Sequence, residues 1–161
     1  MRLGQTVPNF QADTIKGPIK FHEWQGNSWV VLFSHPADFT PVCTTELGRI
    51  AVYQPEQKKD PEVGKTIRAL FIISPDHKVR LSMFYPMSTG RNVDEILRTI
   101  DSLQLTDRLK VVATPANWTP GTKVMILPTV TDEEAYKLFP KGFDKVSMPS
   151  GVNYVRTTDN Y

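Results

Sequence analysis

The sequence predicts an α/β fold, in which short apolar strands alternate with helices. Residues 29–33 and 66–73 are runs rich in β-branched and aromatic side chains, with the length and composition of buried strands. Residues 79–85 alternate in polarity and follow the turn residues Ser74-Pro-Asp-His77, as expected for the returning strand of a hairpin. Residues 92–105 then show the clearest helical period. We expect His77 to be exposed in its turn.

Three helices follow from periodicity and capping. The first is predicted to start near Val42 and to end at about Ala51. The second has Asn92 as its N-cap with Glu95 three residues later, and its apolar positions share one face: Val93, Ile96, Leu97, Ile100 and Leu103. Thr131 with Glu134 forms a capping box that predicts a short third helix, ending near Phe139.

The composition of the sequence changes after Lys110, where prolines separate short predicted elements. We therefore predict two parts, a domain over residues 1–110 and a small C-terminal α+β subdomain over residues 111–161. The stretch 145–156 can form short strands around the Ser150-Gly151 turn. Pro55 and the charged residues 56–62 mark a further break inside the first part.

Composition and charge exclude several classes of protein. The chain has 161 residues, 40% of them apolar, which suits a packed core rather than disorder. No apolar run is long enough to span a bilayer, and the N-terminus lacks the apolar stretch of a secretory signal. The net charge of +2 comes from dispersed residues, without the clustered basic face of a nucleic-acid-binding protein. We expect a cytoplasmic protein with no nucleic-acid partner and no integral membrane segment.

The chain has a single cysteine, Cys43. An intramolecular disulfide and a cysteine-rich zinc site are therefore excluded. Cys43 lies where a loop is predicted to give way to a helix, so the positive end of the helix dipole would lower the pKa of its thiol. Thr40 can donate a hydrogen bond to the sulfur, while Pro36 and Pro41 stiffen the loop. A buried cysteine beside a capping threonine would show the same local pattern, so these residues alone leave both interpretations open.

A longer motif resembles a known family. Pro36-Ala-Asp-Phe-Thr40-Pro-Val-Cys43 matches the P-x-x-x-T-x-x-C signature of peroxiredoxins, and residues 33–48 resemble the one-cysteine subfamily almost residue for residue. The resemblance continues through Tyr85-Pro-Met-Ser-Thr-Gly-Arg-Asn92 and Leu-Phe-Pro-Lys-Gly142. It implies a thioredoxin-like peroxiredoxin fold and a thiol peroxidase with antioxidant and redox-homeostasis roles.

The resemblance implies a role for each residue of the site. Cys43 would be the peroxidatic cysteine, Thr40 would bind the sulfur and the peroxide, and Pro36 would shield the oxidised sulfur. Arg68 matches the active-site arginine, whose fixed charge would stabilise the thiolate. A solvent-facing arginine on an edge strand is the alternative for Arg68. His35 would either bind substrate or fill the pocket wall.

The same resemblance implies the reaction partners. The substrates would be hydrogen peroxide and organic or lipid hydroperoxides. Without a second cysteine, recycling needs an external thiol, typically glutathione supplied with the help of a glutathione transferase. The subfamily implies a homodimer and neither metal nor haem.

The subfamily is also associated with a phospholipase A2 activity. The matching positions of its Ser-His-Asp set are Ser28, His22 and Asp76. Its G-x-S-x-G motif reads Gly26-Asn-Ser-Trp-Val30 here, and Val30 is too large for the strained turn of a nucleophile elbow. A loop leading into the strand at Trp29 is the alternative.

The chain departs from the family in one respect. Cys43 and Arg68 are only 25 residues apart, which predicts an internal loss near residues 55–56 of roughly two strand–helix units. Either the remaining strands close up around the site, or unpaired edges leave a catalytically impaired relative that associates with intact peroxiredoxins. If the strands before and after Cys43 are parallel neighbours, the helix between them would serve as the crossover.

Overall fold

The computed structural model describes residues 1–37, 40–51 and 67–161. The internal loss predicted near residues 55–56 lies outside these residues. The described elements, in chain order, are β1 (Gln11–Ala12), β2 (Ile19–Lys20), α1 (Phe21–Gln25), β3 (Val30–Phe33), α2 (Pro41–Ala51), β4 (Arg68–Ile73), β5 (Val79–Tyr85), α3 (Val93–Leu109), β6 (Val112–Ala113), β7 (Val124–Ile126), α4 (Asp132–Leu138), β8 (Asp144–Val146) and β9 (Val155–Thr158).

The chain divides into two compact units, Met1–Val93 and Asp94–Tyr161. The division falls earlier than the predicted domain boundary at residue 110, because Leu105 and Leu109 of α3 pack in the core of the second unit. The boundary at 110 itself stays a prediction.

The sheet of the first unit has the order β3-β4-β5, with both pairs antiparallel. The strands before and after Cys43 are therefore not parallel neighbours: Val30 pairs with Ile73 and Phe33 with Leu70. The strand composition is the same for either direction, so the direction is decided by packing. In the antiparallel register the start of β4 lies beside the end of β3, where the chain leads towards α2.

The hairpin of β4 and β5 closes through the predicted turn. The amide of His77 donates to the carbonyl of Ser74, and the amide of Ser74 donates to that of Lys78. The N-terminal residues add to this end of the sheet, since the amides of Gly4 and Val7 donate to the carbonyls of Val79 and His77. A buried cluster forms the core here: Val7, Phe21, Val30, Ile73 and Val79.

The second unit holds the long helix α3 and a sheet of order β6-β7-β9-β8. The predicted strands around Ser150-Gly151 are β8 and β9, which pair with Lys145 opposite Arg156. The capping box of α4 is present as predicted, with the Thr131 side chain accepting from the Glu134 amide and the Glu134 carboxylate accepting from the Thr131 amide. Trp118, Val124, Ile126 and Phe139 lie at the centre of the core.

Candidate active site

The sulfur of Cys43 lies in the first turn of α2. Pro41 opens the helix, a position where the missing N–H of proline costs nothing. Cys43 is only 1% exposed. The unpaired N–H groups of this first turn form the positive end of the helix dipole, so the position favours a thiolate over a neutral thiol.

The guanidinium of Arg68 lies against this sulfur. Its Nη1 is 3.3 Å from Cys43 Sγ, and the residue is 2% exposed. Nε and Nη2 both donate to the carbonyl of Met87, at 3.2 and 2.8 Å. A solvent-facing arginine is therefore excluded, because Arg68 is buried on the central strand of the sheet and aimed at the thiol.

The antiparallel register explains how Arg68 reaches Cys43. Arg68 is the first residue of β4, and Leu70 pairs with Phe33, the last residue of β3. The chain that leaves Phe33 enters α2 at Pro41, so the helix start and the start of β4 lie at the same edge of the sheet. In a parallel pair, Arg68 would lie at the opposite edge, beside the beginning of β3.

Two further residues complete the site, and sequence reasoning missed both. Oε2 of Glu46 accepts from Nη1 of Arg68 at 2.6 Å and from Nη2 of Arg91 at 3.0 Å. Its Oε1 accepts from the amide and Nε of Arg91, at 2.6 and 2.9 Å. Nη1 of Arg91 donates to the carbonyl of Ala69 at 2.7 Å, which ties α2 to β4.

The sequence carried a signal for these two residues. Glu46 follows Cys43 by three positions, which places both on one face of a helix. Arg91 lies inside the stretch 85–92 that resembles the subfamily. A carboxylate that is buried on the same helix face as a reactive cysteine needs cationic partners. That requirement indicates Arg68 and Arg91 as the partners of Glu46.

The charges of the buried cluster balance only when Cys43 is ionised. Arg68 and Arg91 contribute two positive charges and Glu46 contributes one negative charge, so a thiolate brings the total to zero. Burial opposes ionisation and would raise the pKa of the Cys43 thiol. Hydrogen bonds from the Thr40 hydroxyl, the Ala37 backbone and Arg68, with the charge of Arg68, outweigh burial and hold this pKa below its usual value.

The same balance applies to Glu46. Burial works to raise the pKa of its carboxyl group, but the hydrogen bonds and charge of Arg91, together with the charge of Arg68, hold this pKa below its usual range. The carboxylate is 4% exposed and accepts four hydrogen bonds. It is therefore a permanently charged bridge between the two arginines at neutral pH.

The other residues of the motif lie in the loop before α2. Thr40 immediately precedes the helix, and its hydroxyl lies 3.2 Å from the carbonyl oxygen of Ala37. Because this hydroxyl has one hydrogen, it donates either to that carbonyl or to the sulfur. Pro36 is buried and His35 is half-buried. The role of His35 stays a prediction.

The proposed esterase residues have other partners. Nε2 of His22 lies 2.7 Å from the carbonyl oxygen of Val7, and its ring stacks on His77. The carboxylate of Asp76 accepts from the Ser74 hydroxyl and pairs with Lys78, at 3.2 Å. Ser28 is exposed, and its amide donates to the carbonyl of Gln25. His77 is half-buried in this stack, so the expectation of an exposed His77 was wrong.

Comparisons with known proteins show the family of this chain. The model of the AhpC/TSA family matches residues 3–63, and that of the C-terminal domain of 1-Cys peroxiredoxin matches residues 102–142. Peroxiredoxin-6 of Gallus gallus is 42% identical over 216 residues, an alignment that uses 97% of this chain and 96% of the relative. The chain belongs to the peroxiredoxin family.

Solved structures of other peroxiredoxins have the same fold as this chain. A peroxiredoxin 6 of Arenicola marina superposes with a TM-score of 0.86 at 39% identity, covering 100% of this chain and 99% of that one. A yeast mitochondrial 1-Cys peroxiredoxin, whose thiol is resolved through glutathione/thioredoxin systems, gives a TM-score of 0.81 at 35% identity, with 98% and 99% covered. The fold is thus the thioredoxin-like fold of peroxiredoxins, as predicted.

The alignments also show a difference in length. The human peroxiredoxin-6 is 40% identical over an alignment of 216 residues, which includes 97% of this chain. Because the chain has 161 residues, it occupies about 156 of the 216 aligned positions. About 60 aligned positions of the relative therefore have no counterpart in this peroxiredoxin. That difference agrees in size with the predicted loss of roughly two strand–helix units.

Family membership settles the general activity. Peroxiredoxins are thiol-dependent peroxidases that need no prosthetic group, and this chain is a one-cysteine member. The impaired-relative and esterase alternatives are not favoured. Within residues 1–37, 40–51 and 67–161, no helix is both long and apolar enough to cross a bilayer, and no three His, Cys, Asp or Glu side chains gather as metal ligands.

Proposed function

We propose that Cys43 is the peroxidatic cysteine of this peroxidase and that Arg68 and Thr40 are its catalytic partners. The observation that carries the proposal is the 3.3 Å contact between Nη1 of Arg68 and Sγ of Cys43 in a buried helix-start site. The lowered pKa of the Cys43 thiol supplies the thiolate, which is the reactive nucleophile.

The first step is attack of the thiolate on the terminal oxygen of a hydroperoxide. A sulfur–oxygen bond forms, the oxygen–oxygen bond breaks, and the sulfur becomes a sulfenic acid. The other oxygen leaves as hydroxide or alkoxide and takes up a proton as water or alcohol. Arg68 and the Thr40 hydroxyl donate towards the departing oxygen, where negative charge develops.

The substrates that fit this step are hydrogen peroxide and organic or lipid hydroperoxides. The chemistry requires only the peroxide bond, so the alkyl group does not enter the reaction. Pro36 is buried next to the loop that carries Thr40, which supports its role in shielding the sulfenic acid from further oxidation. The substrate-binding role of His35 remains part of the proposal.

The sulfenic acid is returned to the thiol by an external reductant, and we infer that this is glutathione. One glutathione condenses with the sulfenic acid to a mixed disulfide and water, and a second releases the Cys43 thiol and oxidised glutathione. The single cysteine and the glutathione/thioredoxin systems of the yeast relative support this route. A glutathione transferase partner, a homodimer and a cytoplasmic location are further parts of the proposal.

Steady-state turnover tests the proposal. We expect the protein to consume hydrogen peroxide with reduced glutathione as the only electron donor, with two glutathiones oxidised for each peroxide. Cys43→Ser should abolish consumption, whereas Ser28→Ala should leave it unchanged because Ser28 takes no part in the thiol chemistry. Peroxide consumption that survives Cys43→Ser would refute the assignment of Cys43.

The pH dependence of oxidation provides a second test. The thiolate fraction rises as pH rises through the pKa of the thiol, and this pKa lies below its usual value in Cys43. The oxidation rate should therefore reach its plateau at a pH where a free cysteine, with a pKa of about 8.5, is still mostly protonated. Thiolate absorbance near 240 nm, with Cys43→Ser as the blank, should show the same midpoint as the rate. A midpoint at or above that of free cysteine would contradict the arrangement described here.

A further inference from the structure

The strand β3 lies at one edge of the sheet in the first unit. Its inner edge pairs with β4, from Val30 opposite Ile73 to Phe33 opposite Leu70. In the part of the chain that the structure describes, no strand pairs with the outer edge of β3. Residues 29–34 contain neither a charged side chain nor a proline. Charges and prolines are the usual protection of an edge strand, so this edge can accept another strand.

The backbone groups of Val31 and Phe33 point to this outer edge. The amide of Ser34 donates to the carbonyl of Ala69 on β4 at 2.9 Å, so Ser34 directs its N–H inwards. Successive residues of a strand point their N–H and C=O groups to alternate edges, which turns those of Val31 and Phe33 outwards. The side chain of Val31 is also 37% exposed. A partner strand would therefore find backbone donors, backbone acceptors and an apolar side chain at the same point.

The opposite edge of the sheet, on β5, is less suited to a partner. The amide of Gly4 donates to the carbonyl of Val79 at 2.8 Å, and the amide of Val79 donates to the carbonyl of Gln5 at 3.0 Å. The N-terminal segment thus occupies the start of this edge. Arg80 adds a charge, and the pairing of β5 with β4 has an irregular register near Val79. Charges and bulges both keep edge strands from pairing.

The sequence of β3 is complementary to itself in antiparallel orientation. When two copies join across a two-fold axis, residues of the same sheet face must lie opposite each other. An axis centred on Val31 meets this condition, because it sets Val31 opposite its counterpart and Trp29 opposite Phe33. Val30 then lies opposite Leu32, so every pair is apolar and no like charges meet.

The neighbouring register is less favourable. An axis centred on Leu32 also keeps the sheet faces aligned, but it sets Trp29 opposite His35 and Val30 opposite Ser34. Two apolar pairs are thereby exchanged for pairs of an apolar with a polar residue. The composition of the edge therefore favours the register centred on Val31.

We propose that the outer edge of β3 binds a second copy of this chain through its own β3, antiparallel and centred on Val31. The outward N–H and C=O groups of Val31 exchange two hydrogen bonds with those of the second copy, and the two sheets become one continuous sheet. The inference rests on the homodimer of the proposed function and names its surface. It is independent of the peroxide chemistry of Cys43, which the turnover measurement tests separately.

Disulfide crosslinking of the full chain tests the pairing. Val31→Cys in a Cys43→Ser background leaves one thiol, and the Cα atoms of a hydrogen-bonded pair lie about 5.5 Å apart, within the range of a disulfide. Val146→Cys is the matched control, since Val146 is 41% exposed on β8, an edge strand of the second unit. With diamide as the oxidant, we expect Val31→Cys to form covalent dimers at least about tenfold faster than the control. Equal rates, or a faster reaction of Val146→Cys, would overturn the proposal.

Sedimentation provides a measurement without a crosslink. We expect the wild-type chain to sediment as a dimer and Val31→Lys as a monomer, because two lysines opposite each other repel. Val146→Lys should remain a dimer. A wild-type monomer would refute the proposal, and a folded Val31→Lys that is still a dimer would assign the interface to another surface. If Val31→Lys does not fold, the crosslinking rates decide.

Discussion

Arg68→Met lowers the second-order rate constant for oxidation of Cys43 by hydrogen peroxide by about 10²–10³-fold, the loss typical of a removed oxyanion donor. Nη1 of Arg68 is 3.3 Å from the sulfur, and its charge helps to hold the pKa of the thiol down. The variant therefore loses both thiolate at neutral pH and stabilisation of the leaving oxygen. Stopped-flow measurement across pH separates the two, because the first loss is recovered at high pH and the second is not.

The fold should tolerate this substitution. Without Arg68, the buried charges of Glu46 and Arg91 still form a neutral pair, joined by two hydrogen bonds between the side chains and one from the Arg91 amide to the Glu46 carboxylate. Arg98→Met is the matched control, since Arg98 pairs with Glu95 on α3 in the second unit. We expect its oxidation rate to equal that of the wild type. An Arg68→Met protein that is folded and reacts at the wild-type rate would show that Arg68 is structural only.

Glu46→Gln should mainly lower the free energy of unfolding, whereas Arg68→Met mainly lowers the oxidation rate. Removing this carboxylate leaves two buried arginines, Arg68 and Arg91, which are 2% and 8% exposed, with the Cys43 thiolate as the one remaining negative charge of the cluster. Removal of one partner of a buried ion pair typically costs about 3–5 kcal/mol in free energy of unfolding. Urea denaturation followed by circular dichroism should show this loss. Glu133→Gln, which breaks an exposed pair with Lys137, should change stability by less than about 1 kcal/mol.

A combined variant keeps this prediction testable if Glu46→Gln does not fold. Replacement of all three charges by apolar residues, as Glu46→Leu with Arg68→Met and Arg91→Met, removes the uncompensated charge altogether. It should recover most of the lost stability while remaining inactive, because buried ion networks can be exchanged for apolar contacts. Equal instability of the single and combined variants would mean that size and shape, rather than charge, limit the site.

The spacing of the motif residues is a local feature of the sequence. Motif residues Pro36, Thr40 and Cys43 lie in one loop and one helix turn, so their spacing alone brings them together. The strands, the hairpin and the α4 capping box are also local features, and they were predicted from periodicity and turn chemistry. Glu46 and Arg91 were missed because their contact spans 45 residues and depends on packing between elements.

Strand direction could not be predicted in the same way. The composition of β3 and β4 is that of buried strands in either orientation, and the parallel alternative rested on α2 as a crossover. The observed antiparallel pairing of Phe33 with Leu70 follows from tertiary contacts, including the bonds of Arg91 to Glu46 and to the Ala69 carbonyl. This direction is also what brings Arg68 to the sulfur.

The contacts of His77 with His22 and Gln25 could not be predicted from the sequence either. A histidine in a Ser-Pro-Asp-His turn is typical of an exposed position, and nothing nearby in the sequence suggests a stacking partner. His22 lies 55 positions earlier, and its ring stacks on His77 where the N-terminal segment bridges to the β4–β5 turn through Thr6 and Lys78. The stack accordingly depends on how α1 and this turn pack, which periodicity does not encode.

The rate of the first chemical step tests the central claim most directly. We would measure the second-order oxidation of Cys43 by hydrogen peroxide at pH 7, through tryptophan fluorescence in stopped flow, with Cys43→Ser as the blank. If Thr40, Arg68 and the start of α2 form a working site in this shortened peroxiredoxin, the rate constant should exceed that of free cysteine by at least about a hundredfold. A folded protein that reacts no faster than free cysteine would contradict the assignment of this site as the peroxidatic centre.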